Sequence, residues 1–225
     1  MSAELEAEAV RAMFDRIAPV YDRMNRLMSA GLDRHWRDLT ARRVVQPGDV
    51  VLDAACGTGD LALADLRAGA GRVVAVDFSA PMLERARRKS EAIEWVQGDL
   101  SKLHFADNSF QAATVGFGLR NVPSLGGALR ELRRVLASGG RLGVLEITRP
   151  QGALAPFFRL WFDRLVPLAG KLLPGGAAYS YLPASVRRFR RPQELAESMA
   201  RAGFADIRYR LLAGGIVTLH VGVAR

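Results

Sequence analysis

Val50 to Asp60 reads VVLDAACGTGD, and this stretch decides the fold. It begins as a β-branched apolar run, meets an acid at Asp53, and ends in a loop of small residues carrying Gly57 and Gly59. Leu61, Ala62, Leu63, Ala64 and Leu66 then follow at helical spacing. A strand, a glycine loop and a helix in this order aim backbone N–H groups at a ligand. Glycines at 57 and 59 let the chain turn tightly and leave bare backbone for a ligand to lie on. Asp53 at the strand end can accept from ammonium or amide donors, but it repels a pyrophosphate. The loop therefore suits a positively charged cofactor better than a dinucleotide.

Working outward, Arg72–Asp77 (RVVAVD) is the second strand and Ile93–Gln97 the third. Asp77 lies about twenty residues past the loop, where an acid can take both hydroxyls of a ribose. Ser79 N-caps the next helix, with Pro81 in its first turn. The third strand ends at Gly98-Asp99-Leu100, and Asp99 can accept from an exocyclic amine such as that of adenine; the plainer reading of Asp99 is a turn or cap. Ligands of open α/β sheets bind beyond the carboxyl ends of the strands, so Asp53, Asp77 and Asp99 are expected to line one crevice. Three readings of the loop stay open: the weak dinucleotide pattern over residues 57–62, an S-adenosylmethionine site, and a plain tight turn.

A fourth strand, Ala112–Phe117, leads to Gly118-Leu119-Arg120-Asn121-Val122-Pro123. Pro123 disfavours helix at Val122, so Arg120 and Asn121 fall in a loop at the top of the sheet. Leu125–Leu136 is an amphipathic helix ended by Ser138-Gly139-Gly140, and Arg141–Ile147 is a fifth strand with Glu146 near its end. The tail gives a helix from Pro192 to about Ala202, then strands Ala205–Leu212 and Ile216–Val223 joined by a glycine hairpin.

Before the central strand, residues 4–28 carry helical periodicity broken by Pro19, with Tyr21, Asp22 and Asn25 set among apolar residues. Another helix spans 33–45. This N-terminal cap, residues 1–45, reads equally as packed helices or as a lid. Residues 153–173 are aromatic and aliphatic with sparse charge, and their prolines and charges make them too interrupted to span a bilayer. They are read as a substrate-side cover within a helical insertion over 150–190. SVRRFRR at 185–191 reads as a solvated face.

At 225 residues, with 49% apolar residues, the chain is long enough for one α/β domain, and no repeat or linker divides it. The net charge of +9 comes almost wholly from arginine, the lysines being Lys89, Lys102 and Lys171. Such a balance suits nucleic acid or an anionic membrane surface, or reflects composition alone. Cys56 is the single cysteine, so no intrachain disulfide forms. The acidic, helical N-terminus reads as no signal peptide, and a cytoplasmic location is expected. No metal site is assigned.

The stretches FDRIAPVYDRMNRLMSAGLDRHWR (14–37), VVLDAACGTGDLA (50–62), VVAVDFSAPML (73–83), FGLRNV (117–122), ALRELRRVLASGGRLGVLE (128–146), SYLPASV (180–186) and AGGIVTLH (213–220) resemble class I S-adenosylmethionine-dependent methyltransferases. More narrowly, they resemble the quinone-biosynthesis C-methyltransferases that methylate demethylmenaquinol or the analogous ubiquinone precursor. The resemblance implies a three-layer, Rossmann-like α/β sheet of seven strands, the last antiparallel, with an N-terminal helical lid. It implies S-adenosylmethionine as cofactor, with Thr58, Asp77, Asp99 and Leu100 as ligands and Asp53, Gly57, Gly59, Met82 and Gly116 around them. Departures are Cys56 for a usual Gly, Gly116 for Ser and Gln111 for Asp. Gly116 leaves only backbone where relatives offer a hydroxyl.

The acceptor implied is a ring carbon of an isoprenoid quinol, activated by loss of a hydroxyl proton. Arg120 is the cation expected to stabilise the phenolate, with Asn121 and Tyr21 orienting the hydroxyl or a water. His220 is the histidine that could act as base, against release of the proton to water. Peripheral membrane contact and a homodimer are expected, and nucleic acid is not. An RNA methyltransferase, an NAD-dependent oxidoreductase and a non-catalytic binding partner are the competing readings. The sequence holds no added RNA module and no Tyr-x-x-x-Lys hydride-transfer constellation.

Overall fold

Valine at 50 and 51 starts the central strand β1 (Val50–Ala54), whose last four residues are buried. The computed structural model describes residues 3–148 and 176–225. Three helices precede the strand: α1 (Ala3–Ile17), α2 (Tyr21–Met28) and α3 (Leu32–Val44). Pro19 separates the first two within a single 3-10 turn, Ala18–Val20. After β1 come α4 (Asp60–Arg67), β2 (Arg72–Asp77), α5 (Ala80–Arg87), β3 (Glu94–Gln97) and β4 (Phe110–Gly116). Then follow α6 (Leu125–Val135), β5 (Leu136–Ile147), α7 (Gly176–Arg188), α8 (Pro192–Arg201), β6 (Phe204–Leu212) and β7 (Val217–Ala224).

The seven strands run in the order β3-β2-β1-β4-β5-β7-β6, and β7 is antiparallel to both of its neighbours. The chain winds one way from β1 to β3 and the other way from β4 onward. The switch between β1 and β4 opens a crevice at their carboxyl ends, the usual ligand position in such sheets. One face packs Leu52, Val74 and Val76 against Leu129 and Leu132 of α6 and Leu195 and Met199 of α8. The other packs Val51, Val73 and Ala75 against Val44 of α3, Ala62 of α4 and Leu83 of α5. Covered on both faces, β1 and β2 need the near-continuous apolar runs that the sequence shows.

Two elements differ from the sequence reading. β5 begins at Leu136 rather than Arg141, because Leu136 pairs with Phe110 before the register shifts. Leu136 is fully buried there, a stronger demand than the helix-stopping glycines that follow. The helix α7 falls within the helical insertion expected over 150–190, and its bounds could not be read because Pro183 lies inside it and masks the helical period. The apolar segment 153–173, and with it residues 150–175 of the expected insertion, lies outside the described residues.

Side chains alternate along β1, so Leu52 and Ala54 face α6 while Val51 and Asp53 face α3 and α4. Asp53 is therefore not on the rim. It is fully buried, and neither oxygen has a hydrogen-bond partner among the described residues. Its carboxyl is pushed well up, first by burial and then by the charge of Asp65 on α4. Asp65 is also fully buried; it accepts from Thr114 Oγ1 at 2.6 Å, and burial lifts it to about 8.

This buried acid gives a pH signature. Folded Asp65 keeps a proton that the unfolded chain releases above about pH 4. Its contribution to stability is therefore full below that value, falls as pH rises toward 8, and levels off above. Asp65→Asn keeps the Thr114 bond without a charge. In urea unfolding at several pH values, the variant should match the parent near pH 4 and exceed it by a few kcal/mol near pH 8. Parallel curves for the two proteins would show that Asp65 does not carry this proton.

Candidate active site

Beyond β1 the chain needs left-handed backbone to turn: Ala55, Gly57 and Gly59 have φ of 56°, 55° and 82°. A side chain at Gly59 would collide with the Trp95 ring, so glycine is required there twice over. Cys56 N–H donates to Val76 O at 2.9 Å, and its thiol packs into the core beside Val51 and Leu83. Burial pushes that thiol upward, so it is an inert core residue.

Asp77, ending β2, is the hub. Its Oδ2 accepts from Gly57 N–H at 2.7 Å and its Oδ1 from Ser79 N–H at 2.9 Å. Burial lifts Asp77 to about 6, with these two donors opposing the rise. Around it lies a cavity of about 340 Å³ lined by Gly57, Asp77, Phe78, Met82, Asp99, Leu100, Gly116 and Asn121, with Tyr21 and α1 above. Asp99 is exposed and accepts from Ser101 N–H at 2.7 Å. A Cβ at Gly116 would stand 3.0 Å from Leu61 Cδ2, so a side chain there would need Leu61 to give way.

The N-terminal helices roof this cavity and are pinned to it. Ser79 Oγ donates to Asp15 at 2.5 Å, and Arg85 donates to Pro19 O at 3.0 Å. Asp22 accepts from Thr58 Oγ1 at 2.5 Å and pairs with Lys89 at 2.7 Å, which also reaches Asp60 at 2.6 Å. Phe14 stands edge-on to both Tyr21 and Phe78 with ring centroids 6.2 Å apart. Thr58 is thus a roof anchor rather than a cavity residue, because its hydroxyl is directed to Asp22 and it is 2% exposed. Gly59 shapes the turn without lining the cavity, and Asp53 lies beneath it.

A second cavity, of about 520 Å³, shares Val10, Asn121, Val122 and Pro123 with the first. Arg120, Tyr181 and Phe189 also line it. Arg120 is not an unpaired cation. Its Nη1 donates to Glu146 at 2.6 Å and to Phe117 O at 2.5 Å, and its backbone N–H reaches the same carboxylate at 3.2 Å. Its Nε has no partner among the described residues. Asn121 donates to Phe117 O at 3.3 Å and accepts from Tyr181 OH at 3.1 Å, so its amide orientation is fixed. Phe117 has φ of 59°, a strained conformation for an aromatic residue, and it turns its carbonyl to hold both side chains.

His220 lies elsewhere. It sits on β7 between β5 and β6, lines neither cavity, and is fully buried. Nε2 lies 2.9 Å from Pro192 O, the ring stacks on Tyr209 at 5.1 Å, and burial lowers its pKa. Its place, hydrogen-bonded to a carbonyl and outside both cavities, is that of a structural residue. The partners that the sequence reading missed include Glu146 for Arg120, Tyr181 for Asn121, Asp15 for Ser79 and Asp22 for Thr58. Only Glu146 left a signal, as the one acid in the apolar run RLGVLEI.

The chain spans most of the length of curated relatives that it matches. It is 46% identical over 221 residues to the demethylmenaquinone methyltransferase of Thermus thermophilus, covering 93% of this chain and 99% of the relative. It is 39% identical to the 2-phytyl-1,4-naphtoquinone methyltransferase of Trichormus variabilis, over 92% of this chain and 95% of the relative. Among solved structures, an S-adenosylmethionine-dependent methyltransferase from Thermotoga maritima shares the fold with a TM-score of 0.68 at 19% identity, covering 96% of this chain and 100% of that one. With the family model matching residues 2–224, the chain belongs to the ubiE/COQ5 methyltransferase family.

Proposed function

We propose that this protein transfers a methyl group from S-adenosylmethionine to a ring carbon of demethylmenaquinol, in menaquinone biosynthesis. The observation that carries this reading is the pair of cavities meeting at Asn121, one carrying Asp77 and Asp99 on its wall and one lined by apolar residues with Arg120, Arg188 and Arg190. The first fits a nucleoside. Asp77, held by two backbone donors, keeps lone pairs for ribose hydroxyls, and Asp99 stands where an adenine amine would be met. Met82, Phe78 and Leu100 supply apolar walls for the base, and the backbone at Gly57 and Gly116 allows close approach. When bound, the cofactor supplies a methyl group already activated by a sulfonium.

The chain's own work is then placement and exclusion of water. Asn121, on the shared wall, orients the quinol hydroxyl, with Tyr21 facing from the cofactor side and Tyr181 from the acceptor side. Arg120 acts through a paired charge: Glu146 fixes the guanidinium, and the guanidinium fixes the Phe117 carbonyl and the loop. Arg120 lines the acceptor cavity, and its Nε, without a partner among the described residues, is the donor left to favour a quinolate. With His220 distant, the proton leaves to water. Among the described residues no helix is long and apolar enough to cross a membrane. An isoprenoid tail ties the acceptor to lipid, which supports peripheral contact with the inner face of the cell membrane. The exposed Tyr209 and Leu211 on edge strand β6 support a homodimer.

The reading is tested with purified protein and labelled S-adenosylmethionine, offering demethylmenaquinol and a ubiquinone-precursor benzoquinol side by side. Methyl transfer to the naphthoquinol is expected; transfer to neither quinol, with cofactor still bound, would overturn it.

Arg120 and Glu146 allow a sharper test. Arg120→Ala strands a carboxylate whose side chain is 1% exposed, and should cost about 3–5 kcal/mol of stability. The double variant Arg120→Met/Glu146→Gln removes both charges and should recover most of that loss. Its turnover should nonetheless stay about a hundredfold down, with cofactor affinity unchanged. A double variant turning over at the parent rate would make Arg120 purely structural.

A further inference from the structure

The second cavity opens beside a basic edge. Arg187 and Arg188 end α7, Arg190 and Arg191 form the link to α8, and all four are exposed. Arg188 and Arg190 line the cavity itself, and neither has an ion pair or hydrogen bond among the described residues. Among the described residues no acidic side chain lines that cavity, whereas its wall holds Met13, Leu119, Val122, Leu125 and Phe189. Cations near a helix C-terminus complement its dipole. That accounts for Arg187 and Arg188 but not for Arg190 and Arg191, which lie beyond the helix.

A basic rim around an apolar mouth matches a bilayer in two respects: anionic headgroups outside and hydrocarbon within. We infer that the edge at Arg188 and Arg190 is the surface by which the protein docks on an anionic lipid bilayer, with the cavity mouth turned toward the lipid. A lipid-tailed quinol would then slide from the membrane into the cavity without crossing water. The inference rests on the lipid-tailed acceptor proposed above. RNA fits the same rim less well. Single-stranded nucleic acid needs an exposed ring on which bases stack. Phe189, between the two arginines, is 8% exposed and packs in the core.

The control is built into the fold. Arg42 and Arg43 are also exposed, but they end α3 just before β1 begins, at the opposite end of the sheet from both cavities. Flotation of the full chain with phosphatidylcholine vesicles, with and without phosphatidylglycerol, is compared for three proteins. The parent should float with the phosphatidylglycerol vesicles and not with pure phosphatidylcholine. Arg188→Glu/Arg190→Glu should weaken partitioning about tenfold or more, and Arg42→Glu/Arg43→Glu should leave it near the parent value.

Calorimetry with S-adenosylmethionine shows that each variant is folded, since neither pair lines the cofactor cavity. Equal loss in both variants would reduce the effect to net charge and overturn the inference. So would a rim variant that binds like the parent, or a parent that prefers a single-stranded RNA oligonucleotide to the vesicles. Turnover of demethylmenaquinol in detergent micelles is read separately. Its absence would count against the acceptor, while the vesicle result still decides the docking edge.

Discussion

The Asp77 carboxylate, held between the N–H groups of Gly57 and Ser79, is the interaction on which the rest depends. One oxygen fixes the glycine loop after β1 and the other fixes the cap of α5. Ser79 in turn uses its hydroxyl to anchor Asp15 and so the roof. A single buried acid therefore sets the distance between two strands' loops and the position of the helices above them. The arrangement comes at a cost in solvation, since burial lifts Asp77 to about 6. A site that needs an ionised acceptor near neutrality has little margin beyond this, and the two backbone donors are what keep the group ionised at pH 7.

The loop after β4 works on the same plan with the opposite sign. Arg120 is buried, and a lone buried guanidinium would be prohibitive. Glu146 on the neighbouring strand β5 makes it tolerable, and the Phe117 carbonyl takes what the carboxylate leaves. The strained backbone at Phe117 follows from this demand: an ordinary φ there would turn the carbonyl away from Arg120 and Asn121. Removing the charge of Arg120 from solvent also removes it from competition with bulk ions.

Much of this was legible in the residues. The placing of Asp77 and Asp99 on one cavity wall was, because parallel strands of this fold end on the same side of the sheet. Asp53 was not, because its direction depends on which face of β1 each helix covers, and the run VVLDA reads alike on both. Thr58 looked like a ligand because nothing local shows that Asp22, 36 positions earlier, takes its hydroxyl. Whether His220 was a base or a structural residue stayed open, because its burial comes from β5 and β6 pairing on either side of β7. In each case the side-chain type was read rightly and its partner, supplied by a distant segment, decided the role.

The same long-range pairing fixes where net charge survives. Asp53 and Asp65 are pushed toward neutrality by burial, and Arg120 is cancelled by Glu146. Glu8 and Arg11 in the roof contribute one charge of each sign to the cofactor cavity. What remains is acid on one side of Asn121, at Asp77 and Asp99, and base on the other, at Arg188 and Arg190. That polarity suits a cation in the first cavity and an anion in the second. A sulfonium donor and a quinolate acceptor carry those charges, and methyl transfer between them neutralises both. The field of the site therefore assembles the two charged reactants, while the barrier itself is lowered by placement and the exclusion of water.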